Sequence, residues 1–218
     1  MKNGETANRS RPARGALKER QRAERAELIL DAAEEVFAEK GYHDAAIEEI
    51  AARVGISKGA IYLHFASKEA LLEAWFARQI ARFLAMVDDA TAEATTVRER
   101  LERILDWCYR RMSGEDRAVL LELGSIGLAN SVINQRPALL ASAARATERI
   151  TALLDEGKRT GELVASVPTP ILVAVFGGLL TAGFEQLLVS GQYQPTELVA
   201  YVSRSFFERL AIPSVSDG

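Results

Sequence analysis

Cysteine, histidine and proline are all scarce in this chain, and each shortage narrows what it does. The single thiol, Cys108, forms no internal disulfide and builds no cysteine-rich zinc site. Two histidines, His43 and His64, leave no histidine-rich metal site, so no metal is expected. Only 6 Pro and 15 Gly occur in 218 residues, among abundant Ala, Leu, Glu and Arg, which disfavours a turn-rich β fold and favours helices. The opening MKNGETANRSRPARG lacks the apolar core of a signal peptide, and the chain reads as cytosolic. The one long uncharged run, Leu163 to Phe184, is interrupted by Pro168 and Pro170. Ile171–Phe184 then remains, 14 residues that are too few to span a bilayer and of ordinary length for a core helix. No Ser/His/Asp order, glycine-rich phosphate loop or paired-carboxylate spacing stands out, so neither an enzyme nor a bound cofactor is expected.

What is present is a globular composition, 48% apolar and 26% charged, with a net charge of -3 that is unevenly distributed. Residues 1–25 hold eight Lys or Arg against three Glu, a net of +5, while the remainder is acidic. A basic tail ahead of an acidic body points to an anionic partner such as nucleic acid. Residues 1–16 are expected to be a flexible basic arm, and 213–218 a tail.

From Leu17 to Lys40, apolar Leu28, Ile29, Ala32, Ala33, Val36 and Phe37 recur at helical spacing opposite a charged face, and Gly41 closes the helix ahead of a loop holding Tyr42 and His43. Asp44 is the expected cap of a short helix whose Ile47, Ile50 and Ala51 face inward. Val54-Gly55-Ile56 makes a turn, and Ser57 caps a second short helix. Ser67 starts a longer helix with Ala70, Leu71, Leu72 and Trp75. Further helices are expected at about 97–112, 115–130, 137–157, 170–189 and 195–210, broken at Ser113-Gly114, Gly157–Gly161, Pro168–Pro170, Gly191 and Pro195. No strand-like alternation and no internal repeat is visible.

Two short helices joined by a glycine-bearing turn make a helix-turn-helix, whose second helix enters the major groove if its outward face is short or polar. Ser57 to Lys68 meets that demand. Ser57, Lys58, Gly59 and Ala60 leave backbone free to approach DNA, Tyr62 and His64 offer hydrogen bonds to phosphates, and Lys68 adds charge. Ile61, Leu63 and Phe65 are expected to pack toward the preceding helix.

The run ILDAAEEVFAEKGYHDAAIEEIAARVGISKGAIYLHFASKEALL carries F-x-x-x-G-Y, I-A-x-x-x-G-I-S-K-G, Y-x-H-F and S-K-E-A-L. It resembles the N-terminal DNA-binding domain of the tetracycline-repressor-like (TetR/AcrR) transcriptional regulators. The resemblance implies an all-α homodimer with a three-helix helix-turn-helix domain at 17–66 and a helical ligand-binding and dimerisation domain at 67–212. It assigns DNA contact to Lys58, Gly59, Tyr62, His64 and Lys68. It implies a repressor on a palindromic operator, released by a small, largely apolar ligand. The rival is an architectural or protein-interaction DNA-binding protein that no ligand releases. Where the family usually carries a Thr or Ser pair, this chain has Ala45 and Ala46, and Arg20, Arg22 and Arg25 are expected to compensate. By the same resemblance the last two long helices pair between subunits, pointing to Leu139–Leu154 and Ile171–Leu188, with Ala141, Ala144, Gly177, Gly178 and Gly183 allowing close approach.

Candidates for a ligand cavity are Phe83, Met86, Trp107, Cys108, Tyr109, Met112 and Phe176, each of which also suits plain core. Asp106, Glu122 and Glu185 lie in or beside apolar stretches, where a buried carboxylate suits a cationic ligand. Cys108 reads as a small core hydrophobe rather than a redox sensor.

Overall fold

The computed structural model describes residues 11–113, 132–181, 187–188 and 190–210; within them the chain is helical, with no strand. The helices are α1 (Arg11–Asp44), α2 (Ile47–Val54), α3 (Lys58–Tyr62), α4 (Lys68–Glu93), α5 (Val97–Ser113), α6 (Pro137–Thr160), α7 (Thr169–Thr181) and α8 (Pro195–Leu210). The helix expected at 115–130, together with Glu122, Gly183 and Glu185, lies outside the described residues. The chain divides into two compact units between Trp75 and Phe76.

In the first unit, Ile29, Ala33, Val36 and Phe37 of α1 are fully buried at the spacing that makes one helix face, and Ile47, Ile50 and Ala51 of α2 close on them. Gly41, at φ 80° and ψ 163°, breaks the helical path near the end of α1. That kink turns Tyr42 inward, where its ring meets Phe37 edge-on at 5.6 Å. The F-x-x-x-G-Y pattern is therefore a packing device. Asp44 ends α1 instead of capping α2. The cap position is Ala46, whose side chain has no acceptor, and Glu49 reaches back to accept the Ala46 N–H at 3.4 Å, which is the glutamate half of a capping box. Gly55 closes α2 in the left-handed conformation at φ 75°, which a β-carbon disfavours.

The expected arm is shorter than 16 residues: α1 is already helical at Arg11. Ala13, Ala16, Leu17, Lys18, Glu19 and Arg20 are all strong helix formers, and Arg20 pairs with Glu24 one turn on at 2.8 Å.

In the second unit, α5 is central. Val97, Leu101, Ile104, Leu105 and Tyr109 form its buried stripe, and it touches α6, α7 and α8. From α8, Leu198, Val202, Phe206 and Phe207 join the same core. The segment EGKRTGEL locks α6 onto α5 residue by residue. Glu156 takes both carboxylate oxygens to one guanidinium nitrogen of Arg100 at 2.9 Å. Gly157 lies inside α6 and is not a break as expected; a β-carbon there would sit 2.8 Å from Leu163 Cδ1 and 3.1 Å from Val97 Cγ1. Lys158 donates to the Val167 carbonyl at 2.8 Å, and Gly161, at φ 80°, ends the helix. Glu162 then accepts the N–H groups of Val97 and Arg98 at 3.1 and 3.0 Å, capping α5 from 64 residues away. Burial opposes its charge, yet those two N–H groups, the Thr160 hydroxyl and nearby Arg100 hold the carboxyl below its usual range.

Among the described residues no helix is long and apolar enough to cross a membrane.

Candidate nucleic-acid interface and effector cavity

Ser57 accepts the Ala60 N–H at 3.2 Å, fixing the start of α3. Ile61 is the buried anchor of that helix, while Lys58, Gly59 and Tyr62 are exposed. A five-residue helix with one apolar anchor offers the rest of its surface to solvent. Lys58 is held by Glu48 of α2 at 2.5 Å, and its ammonium stands 5.9 Å from the Tyr62 ring. The hydrogen bond from Lys58 draws the Glu48 carboxyl below its usual range, and Lys58 is raised in return. A DNA phosphate must compete with that pair for the ammonium.

One expectation for this segment is corrected. Leu63 is 76% exposed instead of packed inward, because α3 ends at Tyr62 and the chain turns there. Lys68 belongs to the first turn of α4, where its ammonium donates to the His43 carbonyl at 3.1 Å and lies 4.6 Å from the Tyr42 ring centre. It ties α4 to the kink in α1. His64 is half-buried just past α3. Burial, then the charges of Arg22 and Arg25, pull its imidazole below the usual range, so near neutral pH it is uncharged.

In the second unit an apolar cavity of about 280 Å³ lies between α4, α5 and α6. Of the candidates, Phe83, Trp107, Cys108 and Met112 line it, and Phe83 meets Trp107 edge-on at 6.1 Å. Gln79, Ile80, Arg111, Ile133 and Ala143 also line it and were not singled out from sequence. Arg111 is the cation of that wall, with its guanidinium 5.0 Å from the Trp107 ring centre and an N–H donated to Gln79 at 2.8 Å. Burial pushes the Cys108 thiol up to about 12, against a smaller opposing pull from Arg111, which leaves it a packing group.

Tyr109 and Phe176 stand elsewhere, in the core; the Tyr109 hydroxyl donates to the Leu179 carbonyl at 2.9 Å. Met86 faces a separate open groove of about 980 Å³, which Trp107 borders from its other side. Asp106, on that groove, is paired with Arg110 at 2.6 Å, so its charge is already balanced. No group of three or more His, Cys, Asp or Glu side chains placed to hold a metal occurs among the described residues.

Residues 29–75, which contain the α1 core face, the turn, α3 and the start of α4, match the family model of bacterial regulatory proteins, tetR family. The N-terminal domain is of the tetR family. Curated relatives of the chain include the fatty acid metabolism regulator protein of Bacillus subtilis, 29% identical over 108 residues that make up 50% of this chain and 56% of that one. The HTH-type transcriptional activator FasR of Mycolicibacterium smegmatis is 40% identical over 85 residues, 39% of either chain. The matched region thus spans about half or less of these relatives' own length. The crystal structure of the transcriptional regulator FadR from Bacillus subtilis in complex with stearoyl-CoA is similar over 85% of this chain and 98% of that one, with a TM-score of 0.68 and 26% identity. The all-α architecture, a helix-turn-helix domain followed by a helical domain, is common to both.

Proposed function

We propose that this chain is a ligand-responsive transcriptional regulator, a repressor that binds a palindromic operator as a homodimer. The observation that carries the reading is the exposed face of α3, with Lys58, Gly59 and Tyr62 outward, Ile61 inward and the start capped by Ser57. A short helix so anchored fits the major groove, and a dimer would place two of them about one helical turn, ~34–36 Å, or more apart.

Dimerisation is assigned to α6 and α7. Leu140, Ile171 and Val175 are 47%, 53% and 44% exposed there, an apolar surface in need of a partner. On the final helix α8, Leu198, Val202, Phe206 and Phe207 are instead committed to the core shared with α5, although Tyr201 is exposed. Ala144 and Ala174 on the exposed faces of the same helices would allow close approach.

The effector is assigned to the apolar cavity. A long-chain acyl thioester bound to the similar regulator from Bacillus subtilis supports an apolar chain as its class, and Arg111 on the wall suits an anionic or carbonyl group at one end. Effector binding would favour a dimer whose recognition helices are mis-spaced, lowering DNA affinity by the difference in affinity between the two forms. Fluorescence anisotropy on the intergenic DNA beside its own gene tests the reading. Tight, salt-dependent binding lost in Lys58→Ala/Tyr62→Ala, and reversed by stearoyl-CoA, is expected. Uniformly weak binding to all duplexes, unmoved by the acyl thioester, would favour an architectural protein.

A further inference from the structure

The first eleven described side chains of α1, Gly15 to Arg25, are all exposed, so this stretch is a helix with no apolar face to bury within its own unit. Its charge is nonetheless ordered. Lys18, Arg22 and Arg25 follow one another at steps of four and three, which puts them on one face, and in the sequence Arg11 and Arg14 continue the same spacing. That face turns toward the end of the reading helix. The Arg22 guanidinium donates to the Leu63 carbonyl at 3.4 Å, across 41 residues of chain. Lys18, Arg22 and Arg25 line a groove of about 920 Å³ whose opposite wall is Leu63 and His64. Two carboxylates, Glu19 and Glu24, also line it, and Glu24 is paired with Arg20. Arg20 thus belongs to the opposite side of α1 from the cationic row, and in the compensating trio expected from sequence Lys18 takes the place of Arg20.

Three cations and a neutral imidazole converging on one concave surface make a site for a tetrahedral oxyanion: the cations supply charge and the imidazole a directional N–H. On the reading that α3 enters the major groove, the strand bordering that groove brings a phosphodiester to this end of the helix. We propose that Lys18, Arg22, Arg25 and His64 form a cradle for a backbone phosphate of duplex DNA at the edge of the half-site. Arg22, held by the Leu63 carbonyl, sets the cradle at a fixed distance from Tyr62. The cradle supplies the phosphate contact that a hydroxyl at Ala45 or Ala46 would otherwise give, and its row runs along α1 for about 10 Å from Arg25 to Lys18.

The test is anisotropy of the full chain on the intergenic duplex and on a scrambled duplex, across a salt series, with Arg22→Gln/Arg25→Gln, Arg22→Lys/Arg25→Lys and Tyr62→Ala. Loss of the two arginine charges should weaken both duplexes in parallel, about tenfold or more near 0.1 M salt. It should also flatten the plot of log affinity against log salt by about 0.9 for each phosphate contact removed. The lysine pair should keep the slope, and Tyr62→Ala, which removes a phosphate hydrogen bond but no charge, should weaken both duplexes while keeping the wild-type slope. An Arg22→Gln/Arg25→Gln protein with wild-type affinity and slope would overturn the cradle while leaving the DNA-binding reading intact. A wild-type protein with no affinity for either duplex would overturn the reading itself, and the cradle with it.

Discussion

Glu162 illustrates how much one side chain does in this molecule. Its carboxylate closes the N-terminus of α5 from a distant turn, accepting the Val97 and Arg98 N–H groups that α5 cannot satisfy internally. Because the folded protein holds this carboxyl below its ordinary value of 4.5, the native state binds fewer protons than the unfolded chain. Its contribution is therefore present above that value and is lost as pH falls through the folded one. Thermal melts of wild type and Glu162→Gln should differ at pH 6–7 and converge toward pH 3. A difference that stays constant with pH would contradict the assignment. Gly157 makes the complementary case, a residue needed for what it lacks. Gly157→Ala must push against Leu163 and Val97, both buried, and should destabilise by about 1–3 kcal/mol, less the helix-propensity gain of up to ~1 kcal/mol. A melting temperature at or above wild type would mean that Leu163 yields freely.

Among the elements, α3 is the one whose stability and function are hardest to separate, since a five-residue helix does not stand alone. It depends on the Ser57 cap and on Ile61, which is fully buried. Ser57→Ala should cost ~1 kcal/mol, and Ile61→Ala 2–5 kcal/mol, both read by denaturant unfolding. Loss of DNA binding in Ile61→Ala at temperatures where the domain remains folded would show that α3 itself frays first. The helix periods, the Gly41 and Gly55 breaks and the Ser57 cap could all be read from sequence, because each rests on interactions within a few residues. Leu63 could not. Its apolar character fits an inward position only if the helical period continues, and α3 stops one residue earlier. Trp107 and Tyr109 posed a similar problem. Two residues apart on α5, they face in nearly opposite directions, and only the packing around the helix decides which meets the cavity and which the core. Arg111 and Gln79 were overlooked because a polar residue on a helix ordinarily reads as solvated surface.

At the scale of the whole molecule, the assignment of α6 and α7 as the dimer interface makes a direct claim about assembly. Leu140, Ile171 and Val175 form the exposed apolar surface on which it rests. Ile171→Asp/Val175→Asp should convert the dimer to monomer in sedimentation equilibrium without unfolding it, because both side chains lie outside the core. It should weaken operator binding steeply, since a monomer engages only one half-site. A dimer that persists in this variant would move the interface elsewhere. The central claim is that two copies of α3, presented by such a dimer, read one palindrome. A DNase footprint of the intergenic DNA beside the gene tests this most directly. The account predicts one protected window with two-fold symmetric half-sites whose centres lie about one helical turn or more apart. Protection that is absent, or spread evenly along the duplex without a dyad, would contradict it.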